Sequence, residues 1–315
     1  MIQALDFGAG NYKRFGADGA QVMPSQVASV LGESLGRSAG LKTRKAPTCI
    51  GLNGSRFYVG VGAHDWGRPI ENLADERFVA GAPELRALVY ATLPSTDEAL
   101  HVIVGLPQSA LADGQARDTA DAVRGWITGA HEWTVDGEAR TATVAQVTVA
   151  SQAAGALFDY LLDDDGVFLP ARKAHFKEEL GVVSVGMSTL ELLVVRNGAP
   201  VERFTASLTA GVRRVLDLVD PQGLYSRGEL DEALRANRLD VSKALPVWGS
   251  EVSGHIENAW GKAFRRFAAV LLVGGGALLL QPTLLGLFNG RSVLMPDPII
   301  SVARGLYKLA VMKSK

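Results

Sequence analysis

The chain has 315 residues, 47% of them hydrophobic and 21% charged, which is enough apolar material for about two cored domains. A formal charge of −1 argues against direct nucleic-acid binding and against a strongly anionic membrane partner. A lone cysteine, Cys49, excludes an intrachain disulfide and a cysteine-based zinc site, and fits a reducing cytoplasm.

The chain opens straight into apolar sequence, so a signal peptide is not expected. Residues 2–7 and 12–15 read as a hairpin, and residues 20–23 as a third strand after Asp18-Gly19, stopped by Pro24-Ser25. The polar, glycine-bearing stretch 26–46 reads as irregular. Residues 49–62 form a further hairpin around Asn53-Gly54, with Phe57, Val59 and Val61 alternating. Leu85, Leu88 and Val89 give residues 83–93 helical spacing. The unbroken apolar run HVIVG at 101–105 predicts a central strand covered on both faces. Residues 110–126 read as a helix and 132–149 as one or two strands turning at Asp136-Gly137. Residues 152–162 form a helix with Ala153, Leu157, Tyr160 and Leu161 on one side, closed by 163–166.

The second half repeats the opening. GVVSVGMSTLE at 181–191 has the pattern of LDFGAGNYK at 5–13: an apolar run, a turn of small and hydroxyl residues, and a second apolar run. Asn197-Gly198 and a strand over 200–206 follow, as Asp18-Gly19 and a strand follow the first hairpin. Helices are expected at 211–219, 228–238 and 252–267. Residues 267–288 contain almost no polar side chain, but Gly274-Gly275-Gly276 and Gln281-Pro282 interrupt them. A strand at 270–273, a glycine turn and a short buried helix explain this run better than a membrane span. A strand at 292–295 and a helix at 300–311 complete an α/β alternation.

Turns of small residues present backbone N–H groups and make anion sites. Gly8, Gly10, Asn11 and Tyr12 would form one such concavity, with Lys13 as a point charge suited to phosphate. Gly186, Ser188 and Thr189 would form the other. The triplet Gly274, Gly275 and Gly276 lies between a strand and a helix, where a flat ring could approach the backbone. Any one glycine turn is ordinarily just a turn, Asp6 alone a strand-end carboxylate and Lys13 alone a solvated lysine. The repetition is what favours a nucleotide clamped between two halves. The five histidines (His64, His101, His131, His175 and His255) lack metal-ligand spacing.

Taken in order, these segments resemble the ParM/StbA-type prokaryotic actin-like proteins, in the superfamily of actin, sugar kinases and DnaK-type chaperones. LDFGAGNYK resembles the first phosphate motif, in which Asp6 would hold Mg²⁺ through water and Lys13 would contact phosphate. VASQAAGALFDY at 149–160 resembles the first connecting motif, where Gln152 would orient the attacking water. GVVSVGMSTLEL resembles the second phosphate motif, and SLTAGV at 207–212 the segment that brings Gly211 near the nucleotide. LLVGGGALLL at 271–280 resembles the adenosine motif, and PDPIISVARGLYKLA at 296–310 the second connecting motif. The resemblance implies two similar actin-like, ribonuclease H-like domains flanking a nucleotide cleft. Domain I would comprise residues 1–151 plus 296–315 and domain II residues 152–295. It also implies ATP or GTP with Mg²⁺, a homopolymer filament in the cytoplasm, a DNA-bound adaptor protein, no membrane, and a process such as plasmid segregation.

One departure stands out. The second phosphate motif of this family begins with Asp, and here that position is Ser184; its further acid is Glu191. A neutral hydroxyl in place of a carboxylate should weaken Mg²⁺ organisation and slow hydrolysis. A slow ATPase, a scaffold that binds nucleotide without hydrolysing it, and a small-molecule kinase on the same fold therefore all stay open.

Overall fold

The computed structural model describes residues 1–30, 45–70, 79–111 and 116–315. The first half contributes β1 (Ile2–Phe7), β2 (Asn11–Gly16), β3 (Gly19–Pro24), β4 (Val27–Ser29), β5 (Thr48–Leu52), β6 (Ser55–Val59), β7 (Arg68–Ile70), β8 (Leu100–Leu106), β9 (Gly129–Val135) and β10 (Glu138–Ser151). They form a ten-stranded sheet in the order β3-β2-β1-β8-β10-β9-β5-β6-β4-β7. Helices α1 (Pro83–Thr92) and α2 (Ala116–Ile127) belong to this half. The apolar run expected to be central is central. β8 lies parallel to both β1 and β10, and Val102, Ile103 and Val104 are fully buried.

The second sheet has β11 (Glu179–Val185), β12 (Leu190–Arg196), β13 (Ala199–Pro200), β14 (Ala206–Leu208), β15 (Ala269–Val273) and β16 (Ser292–Leu294). Its order is β13-β12-β11-β15-β16, with β14 also on β12. The helices that follow are α3 (Gln152–Leu161), α4 (Pro170–Lys173), α5 (Arg213–Val219), α6 (Arg227–Arg235), α7 (Ala244–Trp260), α8 (Gly275–Leu279), α9 (Gln281–Leu287) and α10 (Ser301–Lys313).

The repeated opening is real in three dimensions. β1 and β2 pair antiparallel with β8 parallel to β1, and β11 and β12 pair antiparallel with β15 parallel to β11. Asn53-Gly54, Asp136-Gly137 and Asn197-Gly198 each place both residues at positive φ, as a two-residue hairpin turn requires. Ser226 caps α6 with a capping box completed by Glu229.

Three apolar clusters follow from this arrangement. One belongs to the first sheet with α1 and α2, and one to the second sheet with α5, α7 and α9. The third lies between the sheets. There Ala4 and Ile103 of the first sheet, and Val182 and Leu271 of the second, share Leu157 of α3 and Leu306 of α10. Helices α3 and α10 cross backbone to backbone, because a Cβ on Gly305 would run into the carbonyl oxygen of Gly155.

The structure corrects several element bounds. Val27–Ser29 is a strand inside the stretch read as irregular, whose positions 31–44 lie outside the described residues, as do 112–115 of the expected helix 110–126. The strand expected over 200–206 is split by a tight turn at Glu202–Phe204, since Pro200 has no N–H to continue the ladder. Helix α7 begins earlier than 252 because Pro246 sits in its first turn, where a missing N–H costs little, and Gly261 ends it at φ 51°. The nonpolar run 267–288 divides into β15, α8 and α9, and no described helix is long and apolar enough to cross a membrane.

Candidate functional site

The strand ends set the site. Asp6 lies near the end of β1, 2% exposed, and register places it beside Lys13 on β2 and Gly105 on β8. Lys13 Nζ donates to Asp6 Oδ2 at 2.6 Å, and Gln152 Nε2, from the first turn of α3, donates to Oδ1 at 2.7 Å. Gly105 makes room for Gln152, whose Cγ would be 3.3 Å from a Cβ there. Two residues, 7 and 146 positions from Asp6, thus meet at its buried carboxylate.

The two hairpin turns face each other. A Cβ on Gly10 would lie 2.8 Å from Cβ of Met187, so the first turn touches the second across the boundary between the halves. Within the turns, Gly8 N–H donates to Asp6 O and Gly186 N–H to Thr189 O, so these two amides serve turn closure rather than a ligand. The N–H groups at the tips, of Ala9, Gly10, Met187 and Ser188, have no backbone acceptor among the described residues. Ser188 Oγ is buried and unpartnered. Gly211 backs the second turn, donating to Ser188 O at 3.3 Å, while the N–H of Val212 reaches Gly186 O at 3.0 Å.

Two assignments change. The Tyr12 ring is fully buried and stacks on Phe7 in the core of the first half, on the opposite face of β2 from Lys13, so its side chain faces away from the cleft. Burial raises its phenol above the usual range. Gly274 and Gly276 lack side chains because Val185 fills the space beside both, whereas Gly275 has open space next to it.

Two residues absent from the sequence reading of the site also belong to it. Arg235, at the end of α6, donates to Asn11 Oδ1 at 2.8 Å and to Gly10 O at 3.1 Å, while its Nε pairs with Asp231. This clasp joins the halves beside a small cavity lined by Ser25, Gln26, Met187, Arg213 and Asp231. Its sequence signal is weak, because an i,i+4 Asp–Arg pair normally marks a solvated helix face. Gln108, just after β8, donates its backbone N–H to Glu191 Oε1 at 2.9 Å. Burial, with the nearby Asp6 charge, pushes the Glu191 carboxyl up to about 7, against the lowering effect of that hydrogen bond. Arg214 pairs with Glu251 at the surface.

The donor set fits a hard cation carried on phosphates, with one or two carboxylates near it. No group of three or more His, Cys, Asp or Glu that could hold a metal by themselves occurs among the described residues.

Two sheets of matching topology, meeting at paired phosphate-type turns with a buried acid between them, define the actin-like fold. Residues 4–155 match the family model described as actin like proteins N terminal domain, and the chain as a whole has the actin-like architecture. Among solved structures, the archaeal actin homolog Ta0583 superposes with TM-score 0.77 at 21% identity, covering 100% of both chains, and its complex with ADP with TM-score 0.75 at 17% identity. The apo psk41 ParM protein gives TM-score 0.73 at 17% identity over 99% of this chain and 98% of that one. A 15-stranded ParM filament from Clostridium botulinum gives 0.70 at 18% identity over 100% and 99%. No curated protein matches the sequence.

Proposed function

We propose that this chain is a nucleotide-binding, filament-forming actin-like protein that takes ATP or GTP with Mg²⁺ in the cleft between its halves and hydrolyses it slowly. The observation that carries the reading is the approach of Gly10 to Met187 together with the Asp6–Lys13–Gln152 cluster. Relatives of the same fold support it: one was solved with ADP and one as a filament. The domains are proposed as residues 1–151 with 296–315, and 152–295.

In this reading Lys13 would neutralise phosphate, and the tip amides at Ala9, Gly10, Met187 and Ser188 would cradle it. The open space at Gly275 would admit the base. Asp6 would hold the cation's water shell, and Gln152, already oriented by Asp6 Oδ1, would position the attacking water. Bound Mg²⁺ would supply charge neutralisation on the phosphates. By the same likeness, cytoplasmic DNA segregation through a DNA-bound adaptor is the proposed process. Head-to-tail contacts that do not close would make the filament.

Light scattering and pelleting with ATP and Mg²⁺, paired with phosphate release, test this. Nucleotide-dependent assembly is expected, and its absence would overturn the filament. Ser184 favours a second reading, a scaffold that binds without turnover, because no carboxylate at that position polarises the water. Ser184→Asp is expected to raise phosphate release; an unchanged rate would remove the role given to that position.

A further inference from the structure

Glu191 is a buried acid that the scheme above leaves without a task. Register places it on β12 directly opposite Ser184 on β11, so the two side chains leave the hairpin on the same face. It is 2% exposed. Its Oε1 is fixed by the Gln108 N–H, but Oε2 is buried with no partner. A buried carboxylate oxygen left unsatisfied is costly and calls for an explanation. Burial above all, and then repulsion from the charge of Asp6 on the other half, disfavours a charged Glu191, and both Asp6 oxygens are already engaged by Lys13 and Gln152. A divalent cation brought in on phosphates would relieve that repulsion, and its water shell would give Oε2 the donor it lacks.

We propose that Glu191 positions the cation of the bound nucleotide from the second wall of the cleft, supplying from β12 the carboxylate that Ser184 does not supply from β11. The proposal rests on the nucleotide reading above. Glu191 acts through the cation's water, so it is a positioning residue, and Ser184 remains without the acid that would polarise the nucleophile.

Titration calorimetry of ADP with and without Mg²⁺ tests it on the wild type, E191Q, S184D and the double variant S184D/E191Q. The wild type should bind ADP more tightly with Mg²⁺. E191Q should keep its Mg²⁺-free affinity and lose about tenfold of the Mg²⁺ gain, the usual effect of removing a group that orients a metal's shell. S184D/E191Q should recover that gain, because the charge is relocated across one strand pair. S184D alone, the variant to rely on if E191Q does not fold, should change the gain by less than about twofold. Full Mg²⁺ gain in E191Q, no recovery in the double variant, or a tenfold rise in S184D would each overturn the proposal. A wild type that binds ADP equally with and without Mg²⁺ overturns this proposal alone. A wild type that binds no nucleotide overturns the nucleotide reading as well.

Discussion

A carboxyl held near neutrality makes the free protein's stability depend on pH. Glu191 has an ordinary value of 4.5 and is pushed to about 7 in the fold. Between those values the native state keeps the proton that the unfolded chain has released. Stability is therefore full below about pH 4.5, falls as pH rises through the window, and levels off above about 7. The total is on the order of 3 kcal/mol. Denaturant midpoints measured from pH 4.5 to 7.5 should show this decline in the wild type and a flattened one in Glu191→Gln. An equal slope in both would mean that another group titrates there. The residue types were legible in the sequence: Asp6, Lys13 and Gln152, singled out there through the resemblance, meet in the fold by hydrogen bonds. Tyr12 was not, because strand alternation turns every second side chain to the other face and only the register decides which. Lys308, near the C-terminal end of α10, lies on its inner face against Asp159 and the Leu162 carbonyl.

At the scale of elements, α3 and α10 govern how the halves are joined. Their crossing depends on Gly155 and Gly305, with Asp159 accepting from Ser301 and Arg304 and ion-paired with Lys308 beside it. Gly305→Ala should cost at least about 3 kcal/mol, since the added methyl meets backbone that cannot rotate away. Thermal unfolding checks this, and a loss below about 1 kcal/mol would mean that the helices slide apart easily. Asp159→Ala should be comparably damaging, about 3 kcal/mol, because Arg304 would be left partly buried without its anion and Lys308 with only the exposed Asp164. Restored stability in a variant that also replaces Arg304 and Lys308 by Met would confirm that reason. The sequence showed both helices, that at 152–162 through its apolar spacing. It could not show the crossing, because a glycine within a helix looks the same whether it faces a partner helix or solvent. Hairpins were the most legible elements, since Asn-Gly and Asp-Gly write their backbone conformation into the residues themselves. The start of α7 was the least legible, because Pro246 reads as a breaker unless the first turn is already known.

For the whole molecule, the clasp from Arg235 to Asn11 and Gly10 ties the halves together at the mouth of the cleft. Under the nucleotide reading, Arg235→Ala should release a fluorescent ADP analogue faster, by about threefold to tenfold, with little change in melting temperature. An unchanged release rate would show that the clasp does not limit opening. The α/β character was readable from the alternation of strands and helices, and the duplication from two similar hairpins. That Arg235 bridges them was not readable, as its partners lie more than 220 positions away.

The apolar layer that both sheets share has a practical consequence for anyone dissecting the molecule. Ala4 and Ile103 are covered only together with Val182, Leu271 and the two crossing helices. A polypeptide ending at residue 151 would therefore carry a bare greasy face and should be recovered from expression as insoluble material. Co-expression with residues 152–315 should return a soluble pair, and the intact chain should melt in a single calorimetric peak despite its two sheets.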